Sequence, residues 1–264
     1  MARQYHIGVG PGDVAPTILL CGDPARAEKV ARRLDGVRGP WRSREYVTYT
    51  GRRGRAGVTV MGTGMGPDNI EIAVVELSRC VKRPTFIRIG SCGALQKNIA
   101  LGDLVVSTGA VRLENTSTYF VPEGYPAVAS YDLVVALATA CARLRVPHHL
   151  GLTASAPGFY GAQSRGVPGF PPRWRDIPGD LGRIGVLNLE MEISALFTLA
   201  SVAGLRAGAV CAVYAQRPKK LFIKGAAKEK AEARAIDAAL AAVDVLGAMD
   251  KSRKGRYWVP GSGF

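Results

Sequence analysis

Apolar positions in this chain fall into short runs that end on glycine and into longer runs spaced for helices. Residues 17–21 form a compact apolar run that reads as a strand delivering Gly22, Asp23 and Pro24. Asp23 can cap a helix with Pro24 at its first position, and the amphipathic stretch from Ala27 to Leu34 continues it. Residues 42–50 alternate in β fashion, residues 51–57 read as a glycine- and arginine-rich hairpin, and residues 58–61 are a further strand. A glycine loop at 62–68 leads into an apolar helix over 70–77 that ends before Pro84, and a strand begins at Thr85. Strand, glycine loop, helix and strand make a βαβ unit, which predicts a mostly parallel sheet with glycine loops gathered at one edge.

Further along, strands are expected at 104–107, 110–113, 151–155 and 206–214, and helices over 133–144 and 226–249. Residues 116–126 read as irregular, and Glu190-Met191-Glu192 as the opening of an apolar helix that ends near Gly204. The interval 161–185 is loaded with Gly, Pro and Arg and is too long for a passive connection. The N-terminal segment 6–14 reads as a loop. Its Gly8-Val9-Gly10 lacks a preceding strand and is followed by Pro11, so it makes a poor dinucleotide fingerprint. No internal repeat is visible, and the expected organisation is one domain over 1–250 with a basic tail over 251–264.

Composition narrows the class. At 264 residues, with 47% hydrophobic and 21% charged positions, the chain is long and apolar enough for one globular α/β core. No run approaches the roughly 18 apolar residues of a membrane span, and no secretory leader is recognisable, so a cytoplasmic protein without a membrane partner is expected. The five cysteines include no C-x-x-C pair and read as buried thiols; the three histidines complete no zinc signature, so no metal is expected. The net charge of +14 raises the question of nucleic acid. Basic residues are scattered and not interleaved with aromatics, so no nucleic-acid partner is expected; an enzyme for anionic substrates fits the same balance.

Candidate chemistry centres on Arg88, a charge inside the apolar run 85–89 just before Gly90-Ser91-Cys92-Gly93. A buried arginine needs a partner. Glycines let backbone N–H groups converge on one point and Ser91 adds a hydroxyl, so an anion pocket is one reading and a structural carboxylate partner the other. Arg26, in the first turn after Gly22, could add charge to a helix N-terminal anion site or face solvent. Glu190 and Glu192 could equally be favourable charge at a helix start.

Taken together, His6, Gly22-Asp23-Pro24-Ala25-Arg26, Thr63-Gly64-Met65-Gly66, Arg88 to Ala94 and Glu190-Met191-Glu192 resemble, in order and spacing, the nucleoside phosphorylases of the uridine phosphorylase and hexameric purine nucleoside phosphorylase type, over about residues 5–217. The resemblance implies a single-domain nucleoside-phosphorylase-like α/β fold, with a mixed, twisted, partly barrel-like central sheet flanked by helices. It implies phosphate held by Gly22, Arg26, Arg88 and Ser91, with Arg44 supplied by a neighbouring subunit. Ribose would meet Met191 and Glu192, and the partner's nucleoside would meet His6. Inorganic phosphate is a co-substrate and no cofactor is implied. A homohexamer built from dimers that share active sites is.

The residues for the base separate two branches. The purine branch uses an Asp near the end of the penultimate strand, where this chain reads Tyr214-Ala215-Gln216-Arg217. The uridine branch uses a Gln and an Arg two residues apart after a Phe-Tyr pair, matched here by Phe159-Tyr160, Gln163 and Arg165. With Gly93 beside the base, the expected catalytic residues are Arg88, Arg165 and Glu192, and the expected reaction is phosphorolysis of uridine, with deoxyuridine or thymidine as further substrates. A purine or broad-specificity phosphorylase and a non-catalytic nucleoside-binding protein are the alternatives. Gly90-Ser91-Cys92-Gly93 is spelled like the purine branch, and Glu71 replaces the small hydroxyl residue expected near an interface cation site.

Overall fold

The computed structural model describes residues 2–255 and 257–259. Eleven strands and six α-helices follow one another as β1 Thr17–Cys21, α1 Pro24–Ala31, β2 Asp35–Ser43, β3 Tyr46–Arg53, β4 Ala56–Gly62, α2 Pro67–Cys80, β5 Thr85–Ala94, β6 Leu104–Arg112, β7 Ala127–Val128, α3 Tyr131–Arg143, β8 His148–Ser155, α4 Ile177–Arg183, β9 Asn188–Glu190, α5 Ile193–Val202, β10 Arg206–Gln216, β11 Leu221–Phe222 and α6 Gly225–Ser252. The βαβ unit expected from the glycine loop is present as β4, α2 and β5, with β1 parallel to both strands.

The sheet is mixed. β5 runs parallel to β1 and β10 and antiparallel to β9, β9 is parallel to β8, β8 is parallel to β6, and β6 is antiparallel to β10. Those pairings return to β5, so β5, β9, β8, β6 and β10 close into a five-stranded barrel, and β1, β4, β3 and β2 extend from it as an open wing. Alternation along β5 explains the layers. Ile87 and Ile89 face a core with α1, α3 and α6, while Phe86 faces the opposite core with α2 and α5.

Several boundaries differ from the expected ones. The two runs at 104–107 and 110–113 are one strand, β6, bent by a register shift between Ser107 and Gly109 where it meets β8. Residues 35–41, with Val37 and Trp41 among polar and glycine positions, open β2, an edge strand largely exposed to solvent, so no apolar alternation marks it. The interval 161–185 contains α4, capped by Asp176 through the Gly179 N–H. Glu190 ends β9 rather than opening a helix, and α5 begins at Ile193. Helix α6 continues to Ser252, past residue 250. The expected tail falls in part on residues 256 and 260–264, outside the described residues. No helix among the described residues is long and apolar enough to cross a membrane, and no group of three or more His, Cys, Asp or Glu among them could hold a metal ion.

Candidate active site

Arg88 lies on β5, the strand shared by barrel and wing, in register with Leu20 of β1 and Ala209 of β10. It is 4% exposed. The carboxylate partner is present. Arg88 Nη2 donates to the Glu192 carboxylate, and its Nε lies 3.8 Å from Glu190. Yet Nε and Nη1 have no hydrogen-bond partner although they are buried. An unsatisfied buried guanidinium is costly, so those N–H groups mark a place for an acceptor. Gly22 and Gly90 wall this place. A Cβ on Gly22 would stand 3.7 Å from Arg88 Nη2, and one on Gly90 3.9 Å from Nε. Ser91 follows on the same strand, half-buried and opposite Ala212 of β10.

Glu192 is 3% exposed and also accepts from the Gly66 backbone N–H at 2.7 Å. Gly66 adopts φ +108°, a conformation favouring glycine, which brings the 63–66 loop onto this carboxylate. Two acceptor positions of Glu192 are thus occupied and its remaining lone pairs are free for a further donor. Met191, beside it, is half-buried. Glu190, on the Nε side of Arg88, is bonded chiefly to the protein around it. It accepts from Ser155 Oγ and from the N–H groups of Glu192 at 2.8 Å and Ile193 at 3.0 Å, capping α5. Burial and the neighbouring Glu192 charge push its carboxyl up to about 7, against the pull of Arg88.

Arg26 is not the solvent-facing arginine its amphipathic helix allowed. It is buried, with Nη1 donating to the Ile89 carbonyl at 3.1 Å and Nε to Glu232 at 2.8 Å, which brings it alongside the Arg88 strand. Gly22, Arg26, Arg88 and Glu192 are thus linked beside the end of β1, with Ser91 three positions further along β5 than Arg88 and Met191 next to Glu192 in the chain. His6 and Arg44 gather elsewhere. His6 is held by Glu76, which accepts from its backbone N–H and from Nδ1 at 2.7 Å, and by Ser43, which donates to its carbonyl. The Tyr5 ring packs edge-on to His6 and lies 5.4 Å from the exposed Arg44 guanidinium.

The predicted base residues lie close to Arg217, which follows β10. Gln163 is buried, its side-chain amide donating to the Ala156 carbonyl at 3.4 Å. The Arg165 guanidinium stacks 4.1 Å from the Phe159 ring centroid and 5.4 Å from Phe222, and its buried Nε is unpartnered. Arg217, considered in the sequence only for the absence of a carboxylate around it, turns out to join Gln163 to Gly93. Its Nη2 donates to the Gln163 carbonyl at 2.8 Å, and its methylenes lie 3.5 Å from where a Cβ on Gly93 would stand. Burial, and then the Arg217 charge, depress the pKa of Arg165; burial also depresses that of Arg217. Beyond this pair opens a cleft of about 820 Å³ lined by Arg165, Arg217, Lys97, Asp176, Lys220 and Phe222.

A glycine-walled guanidinium with two free N–H directions, a fixed carboxylate beside it and a carboxamide with paired arginines beyond can bind an oxyanion, a polyol and an electron-rich ring in sequence. Comparison with known proteins supplies the family. Residues 16–245 match the family described as the phosphorylase superfamily. A uridine phosphorylase of Thermococcus kodakarensis is 44% identical over 263 residues, 98% of this chain and 93% of the relative. A uridine phosphorylase of Haemophilus influenzae is 33% identical over 93% of this chain and 99% of its own length. A guanosine phosphorylase of Halorubrum lacusprofundi is 37% identical over 81% of this chain and 83% of its own length. With the match spanning both the Arg88 strand and the residues from Gln163 to Arg217, the chain belongs to the phosphorylase superfamily.

Proposed function

We propose that this protein is a uridine phosphorylase, a pentosyltransferase that converts uridine and inorganic phosphate to uracil and ribose 1-phosphate. The observation that carries the reading is Arg88, anchored to Glu192 on one side while Nε and Nη1 stay buried and unpartnered beside Gly22 and Gly90. Phosphate would occupy that place, held by Arg26, Arg88, Ser91 and the Gly22 backbone. Ribose would lie on Met191, its hydroxyls donating to the free lone pairs of Glu192. A phosphate oxygen attacks C1′ while the C1′–N1 bond breaks, and the bonding pair leaves with the base.

The base end suits that charge movement. The Gln163 carboxamide can donate to one uracil carbonyl and accept from N3–H. Arg165 and Arg217 repel each other, so negative charge developing on the base oxygens relieves an unfavourable pair and is stabilised most in the transition state. The uracil anion then takes a proton from solvent. No acid is needed in the strand-end sequence Ala215-Gln216-Arg217, and no cofactor beyond phosphate enters the scheme.

His6 and Arg44 form a surface patch around Tyr5, which suits their service to the site of a second copy in a dimer-based hexamer. Residues 1–250 act as one domain in this reading, because β5 contributes to both cores. A purine or broad-specificity phosphorylase is the second reading, favoured by the Gly90-Ser91-Cys92-Gly93 spelling and by the relative named guanosine phosphorylase. The deciding assay follows ultraviolet absorbance on mixing with uridine or inosine, with and without phosphate. Phosphate-dependent uracil release is expected. Turnover of inosine with uridine inert would transfer the assignment to purines, and binding without turnover of either would make the protein a nucleoside binder.

A further inference from the structure

The C-terminal helix reaches the Arg88 region through one carboxylate. Glu232, about two turns into α6, is 7% exposed, and its two oxygens are divided between two cations of α1. Oε1 accepts from Arg26 Nε at 2.8 Å, and Oε2 accepts from Lys29 Nζ at 2.5 Å. Burial opposes both charges of the Arg26 pair, yet the hydrogen bonds from Lys29 and Arg26 hold the Glu232 carboxyl below its usual range. With Nη1 on the Ile89 carbonyl, Arg26 is fixed at two points, one on β5 immediately before Gly90 and one on α6. A long side chain left to choose among rotamers would charge its ordering cost to each ligand it binds.

We propose that Glu232 is a positioning residue for phosphate: by holding Arg26 Nε from the C-terminal helix, it presents the guanidinium to the oxyanion already ordered. This rests on the phosphorolysis reading above. A bare helix clamp is the competing role, and the same two helices supply its control. Arg33 of the α1 C-terminal turn pairs with Asp237 of α6 at 2.8 Å, an exposed contact without a link to Arg26.

The experiment measures steady-state kinetics against phosphate and against uridine separately for the wild type, Glu232→Gln, Glu232→Asp and Asp237→Asn, together with melting temperatures with and without phosphate. In Glu232→Gln the amide must turn an N–H toward Arg26 or Lys29. Glu232→Asp keeps the charge but withdraws it by one methylene. Both should raise the phosphate KM about tenfold, on the order of one charge-assisted hydrogen bond. The uridine KM and the kcat at saturating phosphate should stay within about twofold, and Asp237→Asn should change none of the three. If one Glu232 variant does not fold, the other decides. An unchanged phosphate KM, a parallel rise in both KM values, or a change confined to Glu232→Gln overturns the proposal, the last because charge rather than position would then be at work. A wild type with neither phosphate-dependent turnover nor a phosphate-induced rise in melting temperature overturns the phosphate reading itself, and this proposal with it.

Discussion

Arg88 and Glu192, 104 positions apart, are joined by a charge-assisted hydrogen bond inside the protein, each less than a twentieth exposed. The bond makes the oxyanion place and the proposed sugar ligand one mechanical unit, with Glu190 3.8 Å away as a second carboxylate on the same cation. Removing the cation leaves two buried carboxylates facing each other. Arg88→Ala is therefore expected to abolish phosphorolysis and to cost on the order of 3–5 kcal/mol of stability. Glu192→Gln preserves shape and one acceptor. It should keep the fold and lower kcat/KM for uridine by about 10–100-fold, the loss of a charged hydrogen-bond acceptor. Urea unfolding and initial rates check both; an active Arg88→Ala would refute the site.

Glu190 makes a pH prediction with a definite sign. Its carboxyl is raised from 4.5 to about 7, by burial first and then by the Glu192 charge. A carboxyl whose folded pKa is raised contributes stability that is complete below the unfolded value and lost as pH rises through the folded one. Its contribution to wild-type stability should thus fall between about pH 4.5 and pH 7. Glu190→Gln, which stays neutral throughout, should lack that decline and gain on the wild type at pH 8. Melting temperatures of the two proteins at pH 5, 6, 7 and 8 test this; parallel curves would show that Glu190 does not titrate there.

Most of the helices and the loop at Gly22 were legible because their signals are local, whereas Gly90 to Gly93, which resemble a turn in the sequence, continue β5. Asp23 and Pro24 start α1 through one cap and one fixed dihedral, and the Asp23 carboxylate indeed accepts from the Ala25 N–H at 2.8 Å. Arg88 stood out because a charge in an apolar strand is rare, and Gln163 and Arg165 only through the resemblance to the uridine branch. What stayed hidden depends on distant pairings. Closure of β5, β9, β8, β6 and β10 needs a three-residue strand, β9, too short to carry a pattern. Glu232 looks like one more charge on an Ala-rich helix until α6 packs on α1, more than 200 residues away. Arg217 joins the site because β10 ends beside Gly93, a register that its own neighbours in the chain do not announce.

Gln163 should decide which ring is accepted. Its carboxamide is buried, and its backbone carbonyl is held by Arg217, so the side chain cannot swing away cheaply. Gln163→Ala is expected to lower kcat/KM for uridine about 10–100-fold, as for an unpaired buried hydrogen bond. N3-methyluridine, without the N3–H donor, should be a poor substrate for the wild type and lose little further in Gln163→Ala. Comparing both substrates on both proteins isolates that contact. Equal losses on the two substrates would assign Gln163 a structural role instead.

The tightest glycine beside Arg88 on β5 tests whether this part of the strand is fixed by packing or by the chain itself. A Cβ on Gly90 would stand 2.6 Å from Cys211 Sγ, directly across the β5–β10 pairing, whereas the Cys211 Cβ is 3.9 Å away. The conflict is with one sulfur atom. Gly90→Ala should therefore destabilise by about 1–3 kcal/mol, the usual cost of an overpacked core, and depress turnover by displacing Arg88 Nε, its neighbour on the strand. Cys211→Ala removes the sulfur and leaves room for the new methyl group. The double variant should recover most of the stability lost in Gly90→Ala, a coupling of about 1–3 kcal/mol between positions that never meet in the sequence. Denaturant unfolding of the four proteins gives the cycle directly. If the two effects simply add, the barrel relaxes around Gly90 and the oxyanion place is held by Glu192 and Arg26 rather than by the β5–β10 contact.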